Sequence, residues 1–308
     1  MIDMLVAILT GPSFNGTGNA YGSIPCAGWT RAYSGTGKSV CIPPVSSASR
    51  RPYRIGTHSA SYLSLSGYDS MSDVDTGVDP FPPSYPGLVL VSGSWIVAAD
   101  ERTCVVISAG GRLYPAYFGE FVPVRAEDTA AACVIGSAIG TYTSYSWIQN
   151  ALAGVELGAF FLQSGDTASP GVVSAVGIAR NWNNEPNGID GSILFHAPGV
   201  MVATDRTGLT FASEVSGIMN GLNPVDGKIW YSPIYLFHRR DQNCVRGRLR
   251  GLFAPMFRAD YYTPGTTFED GADEFDIIRT GSSFLLDGFG NIADTRSTIL
   301  LQLTEPEE

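Results

Sequence analysis

The stretch from Trp95 to Val124, WIVAADERTCVVISAGGRLYPAYFGEFVPV, constrains the fold of this chain more than any other. An apolar run from Trp95 to Ala99 meets the polar break Asp100-Glu101-Arg102, a second β-favouring run follows from Thr103 to Ile107, and Gly110-Gly111 interrupts the chain before Leu113. Short apolar runs divided by turn residues are what an antiparallel hairpin requires, so this stretch predicts a hairpin continuing into a third strand. The same residues invite a second reading. Ile96 to Glu101 resembles the strand that ends in a magnesium-holding carboxylate in nucleotide hydrolases, but Thr103 to Ile107 returns at once as a strand where such an enzyme has a loop leading into a helix.

The rest of the chain repeats this logic. Short apolar runs from Leu157 to Leu162, Gly171 to Ala179, Ser192 to Phe195, Val200 to Ala203, Leu209 to Ala212, Ile229 to His238, Cys244 to Leu252, Glu274 to Ile278, Phe284 to Leu286 and Thr298 to Leu303 are bounded by Gly, Pro, Asn or Asp. With 36 Gly and 19 Pro among 308 residues and only 16% charged residues, the composition favours strands and turns over helices. The expected fold is mainly β, an antiparallel sandwich or barrel with long Gly/Pro-rich loops and at most a few short helices. Two such helices are expected, at Glu127 to Ala132 and at Glu214 to Leu222. Ile2 to Leu9 reads as a strand or a single helical turn, and the patterns Tyr53-x-Ile55 and Tyr62 to Leu65 as two edge-like strands. Residues 1–25 form a docking segment and 26–308 a β-rich body. The acidic, proline-rich stretch 69–87, with Pro80, Pro82, Pro83 and Pro86, is the candidate boundary or long surface loop, because prolines do not sit in central strands.

A net charge of −10 argues against nucleic acid as a partner, since affinity for phosphate backbones comes mostly from Lys and Arg. Cys26, Cys41, Cys104, Cys133 and Cys244 are scattered and odd in number, which reads as free thiols made in a reducing cytoplasm. The apolar start lacks a cationic flank and is too short for a membrane anchor, which needs about 20 residues.

Several motifs carry possible chemistry. Ala32 to Ser39 satisfies the relaxed phosphate-loop pattern through Gly37-Lys38-Ser39, yet Val40-Cys41-Ile42 favours strand and Pro43-Pro44 stops a helix at about 3 kcal/mol. Nucleotide binding is therefore disfavoured and no cofactor is expected. Asp73, Asp75 and Asp79 alternate as calcium ligands do, but the glycine arrives one position early and Ser84 stands where a bidentate Glu belongs. His58, His196 and His238 have no neighbour at zinc-ligand spacing. Glu269-Asp270 and Asp273-Glu274 suit glycoside cleavage only at a carboxyl separation of about 5–9 Å. No catalytic residue is assigned. Arg246, Arg248 and Arg250 recur at a period of two, which on a regular strand directs all three to one face. Arg239, Arg240 and Arg258 are near in sequence. The stripe pairs either with acidic loops of the same chain or with those of another subunit. Arg246, Arg248 and Arg250, together with the apolar Ile2 and Leu5, are the expected subunit contacts.

Residue blocks along the chain resemble an uncharacterised family of virion structural, tail-associated proteins of tailed bacteriophages. They are Gly28-Trp29-Thr30, Tyr33 to Thr36, Gly67 to Gly77 with Pro80-Phe81-Pro82, Trp95 to Thr103, and Tyr117-Phe118-Gly119-Glu120-Phe121. Lys228 to Pro233 and Val245 to Pro255 continue the likeness, whereas 136–223 is poorly covered. The family carries an asparagine where this chain has Gly37, so the resemblance makes the phosphate-loop match accidental. It supplies no catalytic residues. It implies a non-enzymatic component of the virion, assembled in the host cytoplasm, most naturally in the tail or baseplate, that forms a symmetric homo-oligomer with copies of itself and contacts neighbouring virion proteins. Two alternatives are a head decoration protein and a tail protein that recognises host surface glycan, for which Tyr142, Tyr145, Trp147 and Trp182 are the aromatic candidates.

Overall fold

A computed structural model describes residues 2–14, 24–45, 47, 49–59, 62–81, 87–89, 94–109, 113–138, 173–180, 184–186, 193–196, 231–238, 244–255, 267–286 and 292–302. The expected runs at Leu157–Leu162, Val200–Ala203 and Leu209–Ala212, and the expected helix at Glu214–Leu222, lie outside these residues.

The predicted meander forms as strands β9 (Ser94–Ala99), β10 (Thr103–Ala109) and β11 (Leu113–Pro123). Its register pairs Val106 with Val97 and with Ala116, and Cys104 with Ala99 and with Phe118. Asp100 makes the first turn. Its Oδ1 accepts from the backbone N–H of Arg102 at 2.7 Å and of Thr103 at 2.6 Å, and from the Thr103 hydroxyl at 3.0 Å. An Asx turn of this kind needs a short carboxylate at that position.

Beyond β11 the larger sheet continues through β12 (Ala132–Ala138) and β13 (Val173–Ile178). The end of β11 turns instead onto β16 (Cys244–Pro255), through Phe121↔Leu249 and Val122↔Arg248. That strand joins β15 (Tyr231–His238) and β14 (Ile193–His196) on one side, and β19 (Ile292–Gln302), β18 (Asp273–Leu286) and β17 (Thr267–Asp270) on the other. The two runs expected at Glu274–Ile278 and Phe284–Leu286 are thus one long strand, with a register shift between Arg279 and Gly281.

A two-stranded ladder pairs β1 (Ser13–Phe14) with β2 (Ile24–Pro25), and the second sheet is built from β3 (Thr30–Gly35), β4 (Lys38–Ile42), β5 (Tyr53–Ser59), β6 (Tyr62–Met71), β7 (Gly77–Phe81) and β8 (Gly87–Val89). All strands in both sheets are antiparallel, and no closed barrel is detected among the described residues. Strands β5 and β6 are interior, not edge-like as expected, because Tyr53, Ile55, Leu63 and Leu65 are all buried on the core face. The segment 69–87, expected as a loop or boundary, begins as the β6–β7 hairpin. Pro80 sits in β7, which pairs only with β6 among the described residues, as a proline without an amide donor requires.

A shared core joins the sheets. Tyr53, Ile55, Leu65 and Phe81 from the small sheet meet Cys104, Val106, Ala116, Phe118 and Val134 from the large one. The aromatic rings of Trp29, Tyr53, Phe81 and Phe118 stack in tilted and edge-on contacts with centroids 5.6–6.2 Å apart. Room for Phe81 comes from Gly67 directly opposite, where a Cβ would lie 2.1 Å from the ring. Residues 2–10 form helix α1 (Ile2–Thr10) instead of the expected strand or single turn. Ile2, Leu5, Val6 and Leu9 repeat at helical spacing and close the end of this core, fully or almost fully buried. The carbonyls of Ile8 and Leu9 at its C-terminus accept from Ala27 and Trp29. A second correction concerns Glu127 to Ala132, which is a turn, held where Asp128 Oδ1 accepts from the Ala130 N–H at 3.1 Å.

Removing the ring at the centre of this core tests the sandwich. Phe118→Ala is expected to lower unfolding stability by about 3–5 kcal/mol, the usual cost of deleting a buried ring. Urea titration would read this as a lower midpoint with an unchanged slope.

Candidate functional site

The two sequence motifs that suggested ligand chemistry are brought together by the fold, and they engage each other. Lys38 opens strand β4, so the helix N-terminus that a phosphate loop needs is a strand here. Its ammonium lies 2.8 and 2.7 Å from the two carboxylate oxygens of Asp75. Arg54 donates to the same carboxylate at 2.9 Å and to the Val74 carbonyl at 2.9 Å. Hydrogen bonds from Lys38 and then Arg54 hold the Asp75 carboxyl below its ordinary pKa. Asp73 Oδ1 caps the Asp75 N–H at 2.7 Å. Among the described residues there is no group of three or more His, Cys, Asp or Glu side chains placed to hold a metal ion.

The arginine stripe is divided by the fold. In β16 the register slips between Leu236↔Gly247 and Phe237↔Val245, which leaves Arg246 as an extra, bulged residue, and slips again between Arg248 and Phe253. Strict alternation therefore fails. Arg246 is 2% exposed and donates to Asp128 Oδ2 through Nε at 3.1 Å and Nη2 at 2.8 Å, and to the Arg180 carbonyl at 3.2 Å. Arg250 is 8% exposed, and its Nη2 is 3.6 Å from Asp100 Oδ2, at the meander's first turn. Only Arg248 of the three is exposed. Ile2 and Leu5, expected on the outside, are in the core for the reason given by their helical spacing. Arg239, Arg240 and Arg258 lie outside the described residues.

Around Arg246 the polar groups form a belt between the sheets. Asp69 in β6 receives a hydrogen bond from Arg180, which follows β13, and faces Arg51 Nε at 2.9 Å in an ion pair not aligned as a hydrogen bond. Arg180 also approaches Asp79 at 3.9 Å and donates to the Asn184 carbonyl at 2.9 Å. Burial alone would raise the Asp69 carboxyl, but the hydrogen bond from Arg180 and the charges of Arg51 and Arg180 outweigh it and hold it below the ordinary value. Next to the belt lies an open cavity of about 200 Å³ lined by Arg125, Glu127, Asp128, Thr129, Asn184 and Arg246. A second polar cluster centres on Glu120, 7% exposed, which accepts from the Ser47 hydroxyl and lies 3.4 Å from Arg102 Nη1. The buried Tyr117 hydroxyl donates to the Glu120 carbonyl and accepts from the Arg250 N–H at 3.2 Å.

Thiol chemistry is suppressed where the cysteines can be described. Cys41, Cys104 and Cys133 are buried and free, and burial pushes the Cys41 thiol up to about 12 and the other two well above their ordinary value. These are packing groups, not nucleophiles. The acidic pairs Glu269-Asp270 and Asp273-Glu274 face each other across the β17–β18 hairpin, with Glu269↔Glu274 and Asp270↔Asp273 in register. Asp270 accepts from the Tyr231 hydroxyl at 2.9 Å, and burial and then that carboxylate push the phenol up to about 12. Tyr142, Tyr145, Trp147 and Trp182, the aromatics proposed for glycan, lie outside the described residues. No helix among the described residues is long and apolar enough to cross a membrane.

Sequence reasoning missed Asp69, Asp128, Arg180 and Glu120, the residues that make up the two polar clusters. None has a local signature, because their partners come from other strands. Compared with known proteins, the sequence matches no family model and no curated protein.

Two measurements probe these clusters. Arg246→Met alone leaves Asp128 facing the interior without its guanidinium and is expected to cost about 3–5 kcal/mol, whereas Arg246→Met with Asp128→Leu recovers part of that loss. A double-mutant cycle in urea checks it, and simple additivity would show the pair to be uncoupled. Asp69 sets a pH dependence. Its folded pKa lies below its unfolded one, so its contribution is complete above the ordinary carboxylate pKa of about 4 and disappears as pH falls through the lowered folded value. Asp69→Asn should therefore differ from the native protein at neutral pH and converge with it on acidification below about pH 4.

Proposed function

We propose that this chain is a non-catalytic structural component of a tailed-phage virion, placed in the tail or baseplate and assembled as a symmetric homo-oligomer that also contacts neighbouring virion proteins. The observation that carries this reading is where the residues resembling phage tail-associated proteins fall. Trp29, Phe81, Phe118 and Phe121 are buried. Asp100 organises the turn of the meander, and Gly119, at φ 135°, lies so close to the preceding strand that a Cβ would meet the Arg102 carbonyl oxygen at 2.3 Å. Arg246 and Arg250 of the C-terminal block are ion-paired inside. The likeness thus follows the residues that hold two sheets together, which is the requirement of a building block.

The charge distribution agrees with that role. Lys38, Arg54, Arg102, Arg180, Arg246 and Arg250 are all engaged with carboxylates of the same chain. Cations engaged within the chain in this way leave an excess of carboxylates on the outer surface. Assembly into a ring then uses one heterologous contact many times.

Electron microscopy of intact particles carrying a gold-labelled antibody against the chain tests the proposal. Label in a symmetric arrangement on the tail or baseplate is the expected result, together with a defined oligomeric mass for the purified chain. Particles free of the chain would overturn the reading, and label over the head surface would overturn its placement in the tail.

A further inference from the structure

Strand β9 leaves alternate backbone groups without a partner. It pairs with β10 alone among the described residues. The Asp100 N–H donates to the Thr103 carbonyl at 3.0 Å, which makes Asp100 and Thr103 a hydrogen-bonded pair and fixes the alternation along the hairpin. Ala98 and Ile96 therefore bond to β10, and the N–H and C=O groups of Ala99, Val97 and Trp95 point to the open side of the strand. Among the described residues nothing bonds to them there. Trp95, Val97 and Ala99 are only half-buried where they pack on the core, and Ile96 on the other face is 38% exposed. Unpaired strand groups that water reaches are a template for another strand.

The other strands that end a sheet are each blocked by a recognisable device. β3 has a register shift between Arg31 and Tyr33, and Arg31 is exposed. β7 carries Pro80 and, before it, Asp79 at φ 48°. β8 and β14 have only three and four residues. β13 is weakened by Gly177, and β17 ends in Glu269 and Asp270. Bulges, prolines, charges and shortness are what keep sheet edges from pairing. β9, Ser-Trp-Ile-Val-Ala-Ala, has six residues in unbroken register and none of these devices. Copies of a chain with net charge −10 repel each other, so a strand without charge is the edge at which two copies meet with least opposition.

We infer that β9 pairs antiparallel with β9 of a second copy of this chain, across a two-fold axis at Val97, so that the large sheets of the two copies become continuous. Two constraints set this register. Opposed residues must face the same side, or the core row of one copy would meet the outer row of the other. The outward residues Trp95, Val97 and Ala99 must also meet one another to exchange hydrogen bonds. A centre at Val97 satisfies both for all three, because Val97 meets the same residue of the second copy and Trp95 meets Ala99 in both directions. A centre at Ile96 or Ala98 leaves an outward residue unmatched. On the outer face Ile96 then meets Ala98, so each large side chain stands against a small one. Asp100 meets Ser94, so no two carboxylates are opposed. The inference rests on the homo-oligomer proposed above and gives it an isologous contact, which closes on two copies and is separate from any ring contact.

Proline at an outward position tests the contact and spares the chain's own ladder. Val97→Pro removes an N–H that β10 does not use, and is expected to weaken association by about tenfold or more, read as a dissociation constant by sedimentation, with unchanged near-UV circular dichroism. Disulfide capture tests the register independently of that variant. Opposed residues that do not exchange hydrogen bonds have Cα atoms about 4.5 Å apart, within disulfide range. An equimolar mixture of Ile96→Cys and Ala98→Cys chains is therefore expected to crosslink to twice the chain mass under mild oxidation, and neither chain alone to do so. No crosslink from the mixture while the native chain is oligomeric, or equal crosslinking by either variant alone, overturns the inference and leaves the oligomer standing. Native affinity retained by a folded Val97→Pro does the same. A native chain that stays monomeric at every concentration removes the oligomer itself, and this contact with it.

Discussion

The core shared by the two sheets hangs on the indole of Trp29. Its ring is 2% exposed and packs edge-on against Phe118 and tilted against Tyr53, so it touches both sheets. Its Nε1 donates to the Asp100 carbonyl at 2.8 Å, at the turn of the meander. Its backbone N–H donates to the Leu9 carbonyl at 2.8 Å, at the end of helix α1. One residue therefore ties the helix, the small sheet and the central turn into a single unit. Aromatic pairs of this kind contribute about 0.5–1.5 kcal/mol each beyond the area they bury, and the indole hydrogen bond fixes which way the ring stands.

Where β10, β11 and β12 pair, both faces of the sheet are buried. Cys104, Val106, Ala116, Phe118, Ala132 and Val134 belong to the core shared with the small sheet. Val105, Tyr117 and Ile135, one residue out of phase, form a cross-strand row on the other face and are also buried. Arg250 reaches that face, with its N–H on the Tyr117 hydroxyl and its guanidinium near Asp100. Double coverage explains why Arg246 and Arg250 of β16 are buried with carboxylates instead of lying on the surface. A guanidinium brought into such a layer must have a partner, since the cost of leaving it unpaired is several kcal/mol.

How much of this could be read from the sequence follows from the same geometry. Strand positions in the meander were legible because turn chemistry is local: Asp100-Glu101-Arg102 and Gly110-Gly111 punctuate it. Its alternation was not legible, because strands buried on both sides read as continuous apolar runs. The helical spacing of Ile2, Leu5, Val6 and Leu9 was hidden by further apolar residues between them. Tyr53 and Leu65 read as edge-strand residues because polar residues separate them, although a sheet with one solvated face shows that alternation in its centre too. The polar clusters were illegible for a different reason. Asp128 and Arg246 are 118 residues apart, and Asp69 and Arg180 are 111 apart, so nothing in either neighbourhood names the other. A bulge at Arg246 likewise leaves no mark in a period-two pattern.

The fate of the two ligand-like motifs shows how a scaffold uses charged residues. A phosphate loop keeps its lysine free for the ligand, and a calcium loop keeps its carboxylates free for the ion. Here Lys38 and Asp75 spend those charges on each other, across a hairpin turn on the small sheet. Arg54, Arg102, Arg180, Arg246 and Arg250 do the same elsewhere. A cation that is satisfied at home cannot recognise a partner without first breaking that bond. Of the three arginines of β16, folding leaves only Arg248 exposed.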